Sequence, residues 1–330
     1  MPRLGPAGRR GGSAERGGGS AERLGGARPR HNAPAASAYR RAMETTPAPG
    51  RHLQPLTHDG MDRPYLLQLP PNPPAAPLPL LVQLHGRGID PVQFDLLTGF
   101  GALADEIGFA VAMPAAIGEI WNAGRDAAPA ERCPDDVGYL TSVIADASAG
   151  RSIDPRRIYL AGMSNGAAMA GRMACERADI IAGIAQVAGT IGMSVVPGCR
   201  PARPVPIISI HGAADGVAPY QGGVRRGLLP HLIIRRAIGP SIGVDDWAEF
   251  WVAANGATAG PALTTLPPDI FIRTWHGPTP ASDVVFYRIE GCGHTWPGAH
   301  IPLPALLFGR TSRTIDAARV CWDFLAAHSG

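Results

Sequence analysis

The sequence predicts an α/β protein in which helices cover both faces of a mostly parallel sheet. Strand-like and helix-like segments alternate along most of its 330 residues, as expected where helices connect parallel strands. Leu78–Leu84 is an apolar run of strand length, which is typical of a strand buried on both faces. A β-prone run ending at Ala161 leads into a Gly-x-Ser-x-Gly turn and small helix-forming residues, the order of a strand, a sharp turn and a helix.

In chain order, strands are predicted at 64–69, 78–84, 109–113, 158–161, 181–187, 206–210, 270–275 and 284–289. Helices are predicted at 92–107, 137–149, 165–177, 241–255 and 314–327. A proline-rich stretch ends the first strand, because proline cannot donate a ladder hydrogen bond. In parallel sheets functional groups collect in loops beyond the carboxyl ends of the strands, and these loops carry most of the candidate residues.

Positive charge is concentrated in the first 50 residues. The whole chain has a net charge of +3, whereas residues 1–50 hold nine arginines and three glutamates, a net of +6. The remainder therefore carries −3, so the folded part has no bulk charge suited to nucleic acid. Residues 1–50 are rich in glycine, alanine and arginine and lack apolar periodicity, which predicts a disordered basic tail before a single domain over 51–330.

The five cysteines form neither a Cys-x-x-Cys pair nor a zinc-ligand spacing. They are Cys133, Cys175, Cys199, Cys292 and Cys321. Because their number is odd, at least one is unpaired within the monomer. A Cys175–Cys199 disulfide is an open alternative if the protein is exported.

Ser164 is the candidate nucleophile. In Gly162-Met163-Ser164-Asn165-Gly166, a sharp turn lifts the serine above the sheet edge, and the flanking glycines remove side chains that would collide. A serine hydroxyl needs such presentation and a neighbouring base to act as a nucleophile. The next N–H, that of Asn165, lies near a helix N-terminus and is the first expected donor to an oxyanion. A purely structural turn is the alternative.

The loop His85-Gly86-Arg87-Gly88 directly follows the strand at 78–84. Acyl transfer needs a second N–H donor from an early loop, and the Arg87 backbone N–H is the candidate. A plain glycine-containing turn is the alternative. His85 is also a candidate for the substrate pocket, although structural hydrogen bonding is the commoner role for such a histidine.

Asp215 and His294 are the candidate acid and base. Asp215 follows the strand at 206–210, where its carboxylate can orient a histidine and stabilise the charged imidazolium; capping a turn is the alternative role. His294 follows the strand at 284–289 and has glycine before it, which allows the loop to swing toward a serine. Ser164, Asp215 and His294 thus occur in the chain order nucleophile, acid, base.

Two further segments carry tryptophan and aspartate. Asp135 or Asp136 is expected to cap the helix predicted at 137–149. Trp121, in a Trp-Asn-Ala-Gly segment, and Trp296 are candidates for the wall of a substrate pocket. Burial of both tryptophans in the core is the alternative.

Together these segments resemble the polyhydroxybutyrate-depolymerase-like (LpqC-type) esterases, which are close to feruloyl and acetylxylan esterases. The resemblance spans roughly residues 53–327 and rests on Leu84-His85-Gly86, Trp121-Asn122-Ala123-Gly124, Asp135-Asp136-Val137-Gly138, Gly162-Met163-Ser164-Asn165-Gly166, His211-Gly212-x-x-Asp215, Gly293-His294-Thr295-Trp296-Pro297-Gly298 and Ala317 through Phe324. It implies an α/β-hydrolase fold for residues 51–330, serine-esterase activity and usually export. Residue by residue, it assigns the nucleophile to Ser164, the acid to Asp215 and the base to His294.

Some positions depart from the family pattern. Relatives usually have glycine where this chain has Cys292, and often cysteine where it has Ala257, so a family disulfide is not expected here. The tail 1–50 lies outside the resemblance. Segment 221–240 matches loosely and is expected to form part of a lid or substrate rim.

The predicted function is a serine carboxylic-ester hydrolase that works through an acyl-enzyme and needs no metal or organic cofactor. The expected substrates are small or polymeric esters of polyhydroxyalkanoate, feruloyl or acetyl-polysaccharide type, with no nucleic-acid partner and no membrane span. An acyltransferase using the same three residues and a binding protein on an inactive scaffold are the alternatives. The resemblance implies an extracellular or periplasmic location; cytoplasmic is the alternative, because the tail lacks the apolar core of a secretory signal.

Overall fold

The computed structural model describes residues 50–124, 133–223, 240–301 and 303–330. Its strands are β1 Arg51–Gln54, β2 Thr57–His58, β3 Met61–Asp62, β4 Tyr65–Gln68, β5 Leu78–Leu84, β6 Ala110–Pro114, β7 Ile153–Met163, β8 Gly183–Val187, β9 Ile207–Gly212, β10 Ala259–Leu266, β11 Ile270–His276 and β12 Val284–Ile289. Its α-helices are α1 Pro91–Thr98, α2 Phe100–Ile107, α3 Asp136–Ser148, α4 Asn165–Glu176, α5 Val244–Asn255, α6 Ala305–Phe308 and α7 Ala317–Ala326. The predicted tail, apart from Gly50, and most of the expected lid segment lie outside the described residues.

In the described part of the chain, ten strands form one sheet in the order β1-β4-β6-β5-β7-β8-β9-β12-β11-β10. The central strands, from β6 to β12 in this order, run parallel to one another. The two outer strands on each side are joined by antiparallel pairing. The prediction of a mostly parallel sheet is therefore confirmed.

Helices cover both faces of this sheet, as predicted. Helices α3, α4 and α5 pack in one hydrophobic core with Leu80 and Val82 of β5. Helices α1, α2 and α7 pack in a second core, on the opposite face, with Leu81 of the same strand. Successive residues of β5 thus enter opposite cores, which is why the strand reads as an almost continuous apolar run.

The single helix predicted at 92–107 is wrong, because Gly99 divides it into α1 and α2. Gly99 has a φ of 79°, a left-handed conformation that glycine adopts without steric cost. Its N–H donates to Asp95 O at 2.7 Å and ends α1. A side chain at position 99 would also collide with the His300 ring, so the break allows a later loop to approach closely.

The outer strands β1 and β10 were not predicted. Every residue of β10 is exposed, so this strand lacks the apolar alternation by which a half-buried strand is identified. Its sequence also contains Gly260-Pro261, which normally argues against a strand interior. In β1 only Arg51 is fully buried, and the strand is placed by pairing with β4.

The carboxyl ends of the parallel strands meet at one edge of the sheet. Leu84 of β5 pairs with Gly162 of β7, and Gly212 of β9 pairs with Ile289 of β12. The loops that follow these strands therefore lie side by side. Among the described residues, no helix has the length and apolar character needed to cross a membrane.

Cys175 and Cys199 form a disulfide, with their Cα atoms 4.8 Å apart. It connects the last turn of α4 to the loop that follows β8. Cys292 and Cys321 are buried and lie outside this bridge. Of the pairings that the sequence left open, the structure contains the Cys175–Cys199 bridge.

Replacing both Cys175 and Cys199 by alanine should lower the free energy of unfolding by about 2–4 kcal/mol, because the bridge restricts the unfolded chain. Urea unfolding measures this difference, which should disappear when both proteins are unfolded in the presence of a reductant. Thiol titration in denaturant should find two more thiols after reduction than before it, and five in all after reduction. Five thiols before reduction would contradict the bridge.

Candidate active site

The turn between β7 and α4 presents Ser164 at the edge of the sheet. Ser164 has a φ of 56° and a ψ of −116°, a strained backbone conformation for a residue with a side chain. Its N–H donates to Val187 O at 2.9 Å. A side chain at Gly166 would collide with Leu84 O, and one at Gly162 would collide with the backbone of Gly166. The two glycines of the motif thus allow the strained turn to form, as predicted.

Ser164, His294 and Asp215 form one hydrogen-bonded line. His294 Nε2 lies 2.9 Å from Ser164 Oγ, and His294 Nδ1 lies 2.7 Å from Asp215 Oδ2. The second carboxylate oxygen, Asp215 Oδ1, accepts the N–H groups of Val217 at 2.8 Å and Ala218 at 2.7 Å. The structure therefore brings the three predicted residues together in a geometry able to pass a proton from the serine to the imidazole.

The Asp215 carboxylate is buried but keeps its charge. Burial opposes its ionisation, yet the charge of His294 and the hydrogen bonds to the carboxylate outweigh it, so the pKa of Asp215 lies below its ordinary value. His211 also contributes: its Nε2 lies 3.5 Å from Asp215 Oδ2 and 2.8 Å from Ala218 O. Asp215 is thus a fixed negative charge beside the His294 imidazole.

The loop that carries His294 is held by a later segment of the chain. His294 N–H donates to Phe308 O at 2.6 Å, and Gly293 N–H donates to Arg310 O at 2.9 Å. A side chain at position 293 would collide with Phe308 O and with Gly309. The glycine before His294 therefore serves close packing, and the expected swinging loop is replaced by a fixed one. Sequence reasoning missed Phe308, whose ring also lies 6.4 Å from the His294 ring between centroids.

The loop after β5 lies against Ser164. A Cβ built on Gly86 would be only 3.8 Å from Ser164 Cβ, and the half-buried Arg87 follows directly. His85 itself is buried: its Nδ1 lies 2.8 Å from Gly86 O, and its Nε2 accepts the Ala116 N–H at 3.0 Å. Both ring nitrogens are therefore bonded to backbone, and His85 is wrong as a candidate for substrate contact.

Trp121 and Trp296 are core residues and do not line a pocket wall as expected. Their exposed fractions are 2% and 1%. The Trp296 ring packs edge-on against Phe94 and Phe100, with centroid distances of 5.9 and 5.7 Å. The Trp121 indole packs against His85, with ring centroids 5.1 Å apart.

Asp135 and Asp136 have different roles, which the sequence left open. Asp135 is the N-cap of α3 and accepts the Gly138 N–H at 2.9 Å. Asp136 is fully buried and pairs with Arg63 at 2.6 Å. Its second oxygen accepts the Asn122 N–H at 2.6 Å, so this carboxylate holds the loop that carries Trp121.

One group of side chains in the described ranges has donor atoms close enough together for a metal ion. The ligand atoms of His58, Asp59 and Asp135 all lie within 4.8 Å of one another. Both carboxylate side chains are more than half exposed, and Asp135 already caps a helix. The group shares no residue with the line of Ser164, His294 and Asp215.

Comparisons with known proteins identify the family and relatives of this chain. Residues 63–196 match the family described as Esterase PHB depolymerase. A protein of Nocardia uniformis subsp. tsuyamanensis named "Putative esterase NocK" is 32% identical over 275 residues, which cover 81% of this chain and 80% of that protein. Feruloyl esterase B of Piromyces equi is 33% identical over 151 residues, 45% of this chain and 26% of that protein.

A solved structure shares the fold. Acetyl xylan esterase from Aspergillus awamori superposes with a TM-score of 0.52 at 14% identity, covering 74% of this chain and 94% of that chain. At this identity the likeness bears on the fold alone, and it agrees with the predicted fold class.

His85 should make stability depend on pH. Burial lowers its pKa from 6.5 to about 4, so between these values the unfolded chain binds a proton that the folded chain does not. Stability should therefore fall as the pH falls from 6.5 to 4. His85→Asn keeps a side-chain donor near Gly86 O. It should reduce the free energy of unfolding that is lost over this pH range by up to about 3 kcal/mol.

Urea unfolding at pH values across this range measures the effect. His52→Asn is the matched control, because His52 is exposed on β1. The free energy of unfolding of this variant should change with pH as it does in the wild type. An unchanged slope in His85→Asn would show that this histidine is not held neutral by burial.

Proposed function

The chain belongs to the Esterase PHB depolymerase family, and from this premise we propose that it cleaves carboxylic esters through an acyl-enzyme formed on Ser164. The family and the α/β-hydrolase fold support an ester hydrolase. The mechanism rests on one observation above all, the hydrogen-bonded line from Ser164 Oγ through the His294 imidazole to Asp215. The roles of the individual residues follow from their positions in that line.

In the first half-reaction Ser164 Oγ attacks the ester carbonyl carbon and His294 Nε2 takes its proton. The two atoms are 2.9 Å apart, within the range for direct proton transfer. Because Asp215 is held ionised, it accepts the Nδ1–H of His294, fixes the tautomer that leaves Nε2 free to accept, and stabilises the imidazolium that forms. The imidazolium then protonates the leaving alcohol oxygen.

The negative charge that develops on the carbonyl oxygen needs backbone donors. The Asn165 N–H lies at the first turn of α4, whose unpaired N–H groups favour an anion. The Arg87 N–H is the proposed second donor, and the closeness of Gly86 to Ser164 supports it. In the second half-reaction His294 takes a proton from water as the water oxygen attacks the acyl carbon. The imidazolium then returns this proton to Ser164 Oγ as the bond between Oγ and the acyl group breaks.

We propose esters of polyhydroxyalkanoate, feruloyl or acetyl-polysaccharide type as substrates. The family description and the names of the feruloyl and acetyl xylan esterase relatives support this class. The segment that holds His294 in place also carries α6, in which Leu306 is 86% exposed and Phe308 lies beside the His294 ring. An apolar surface next to the base suits an ester with an apolar acyl or chain part.

We also propose that the protein works outside the cytoplasm. The Cys175–Cys199 disulfide supports this location, because disulfides persist in oxidising compartments and are rare in the cytosol.

Ser164→Ala should reduce turnover of p-nitrophenyl butyrate by about 10⁴-fold or more, because no acyl-enzyme can form. A fluorophosphonate probe should label the wild type at Ser164 and leave the variant unlabelled. Ser148→Ala is the matched control: this serine lies on α3, bonded to Ile144 O, and its loss should leave turnover within about twofold. Near wild-type turnover in Ser164→Ala would refute the mechanism.

Purified protein should cleave at least one of three natural-type esters, namely 3-hydroxybutyrate oligomers, methyl ferulate and acetylated xylan. We expect kcat/KM for that ester to exceed the value for p-nitrophenyl acetate by about tenfold, because remote contacts contribute transition-state binding. Chromatography of the products, with and without an added alcohol acceptor, separates hydrolysis from acyl transfer. Turnover of p-nitrophenyl esters but of none of the three would reject the proposed substrate class and retain the esterase.

A further inference from the structure

Trp121 is bonded to the residue that follows the nucleophile. The Asn165 side chain accepts the Trp121 N–H through Oδ1 at 2.7 Å and donates from Nδ2 to Trp121 O at 3.1 Å. The two bonds form a closed ring between one side-chain amide and one backbone residue. Asn165 is the first residue of α4, so the ring ties the start of this helix to the loop that carries Trp121.

The indole of the same tryptophan is bonded to the loop after β5. Trp121 Nε1–H donates to His85 O at 3.0 Å. His85 Nε2 accepts the Ala116 N–H at 3.0 Å, which leaves Nδ1 as the protonated nitrogen. His85 Nδ1–H therefore donates to Gly86 O, 2.8 Å away.

The Gly86 carbonyl and the Arg87 N–H belong to one peptide group. In a trans peptide these two bonds point in opposite directions within a plane. A side chain that holds the carbonyl of Gly86 therefore also sets the direction of the Arg87 N–H. Through Trp121 and His85, the orientation of this peptide is connected to the start of α4.

Trp121 is itself fixed by a buried ion pair. The next residue, Asn122, donates its N–H to Asp136 at 2.6 Å, and Asp136 pairs with Arg63 at 2.6 Å. Arg172 of α4 also donates to Asn122 O at 2.7 Å. A loop bonded on both sides to charged groups has little freedom to move.

We propose that Trp121 is a positioning residue for the oxyanion site, holding the N–H groups of Asn165 and Arg87 at a fixed separation through one hydrogen-bond network. The inference rests on the proposed function, in which these two groups are the oxyanion donors. Trp121 does not touch the substrate and acts through Asn165 and His85. Without the indole N–H, the Asn165 and Arg87 N–H groups should be misaligned with the carbonyl oxygen on which negative charge develops. Binding of the uncharged ester should be almost unaffected.

Trp121→Phe tests this, because phenylalanine keeps an aromatic ring and removes the indole N–H. With p-nitrophenyl acetate we expect kcat to fall about 10- to 100-fold while KM changes less than about threefold, since small misplacement of catalytic groups has effects of this size. Trp251→Phe is the matched control. Trp251 is fully buried in the same core, and its Nε1 lacks a hydrogen-bond partner in the described residues.

Affinity for a tetrahedral mimic separates positioning from general destabilisation. The inhibition constant of benzeneboronic acid should rise in Trp121→Phe by about the same factor as kcat falls, and should stay at the wild-type value in Trp251→Phe. Asn165→Ala is the second variant, since it keeps the backbone N–H and removes both bonds to Trp121. Asn165→Ala should show the same fall in kcat and in boronate affinity. The kcat of the double variant should be only slightly below that of the less active single variant.

Equal kcat and boronate affinity in Trp121→Phe and Trp251→Phe would overturn the inference. If Trp121→Phe does not fold, wild-type boronate affinity in Asn165→Ala overturns it instead. Neither result affects the esterase mechanism, which stands or falls with Ser164→Ala.

Discussion

The close approach of the start of α4 to the end of β5 is the constraint on which the rest of the site depends. Gly166 lies so near Leu84 O that any side chain would collide, and Ser164 takes a left-handed φ of 56° between them. Such a conformation costs about 1–3 kcal/mol and persists only where surrounding structure imposes it. Here β5 lies in a sheet buried on two faces and α4 packs on one of them, so the packing of the core offsets the strain at the serine.

Two separate parts of the chain support the two halves of the proposed site. Ser164 and the proposed oxyanion donors are held from the side of α3 and α4, by Trp121 and its neighbours. His294 is held elsewhere, where Phe308 and Arg310 accept N–H groups of its loop. The two halves meet at the hydrogen bond between His294 Nε2 and Ser164 Oγ, so the proposed proton transfer depends on the sheet keeping both supports at a fixed distance.

The central strands and the three residues of the hydrogen-bonded line were predictable because their signals are local. A strand buried on both faces is apolar along its length, as Leu78–Leu84 is, and the strand-turn-helix motif around Ser164 is complete within a few residues. The exposed strand β10 carries no such signal, and Gly99 breaks a helix for the sake of a distant loop. The bond between Asn165 and Trp121 joins residues 44 positions apart, so only the folded chain brings them together.

A hydrogen bond joins the backbone of His294 to helix α6. The carbonyl that accepts the His294 N–H belongs to Phe308, the last residue of α6, and the same helix exposes Leu306 to solvent. An ester that packs its apolar part on α6, as proposed, contacts the element that fixes the backbone of His294. In such an arrangement substrate binding and the position of the proposed base share one support, whereas the proposed oxyanion side is fixed by the buried Arg63–Asp136 ion pair before any substrate arrives. Changes in α6 should consequently alter both which ester binds and how well the Ser164 proton is transferred, while the proposed charge-stabilising side stays constant.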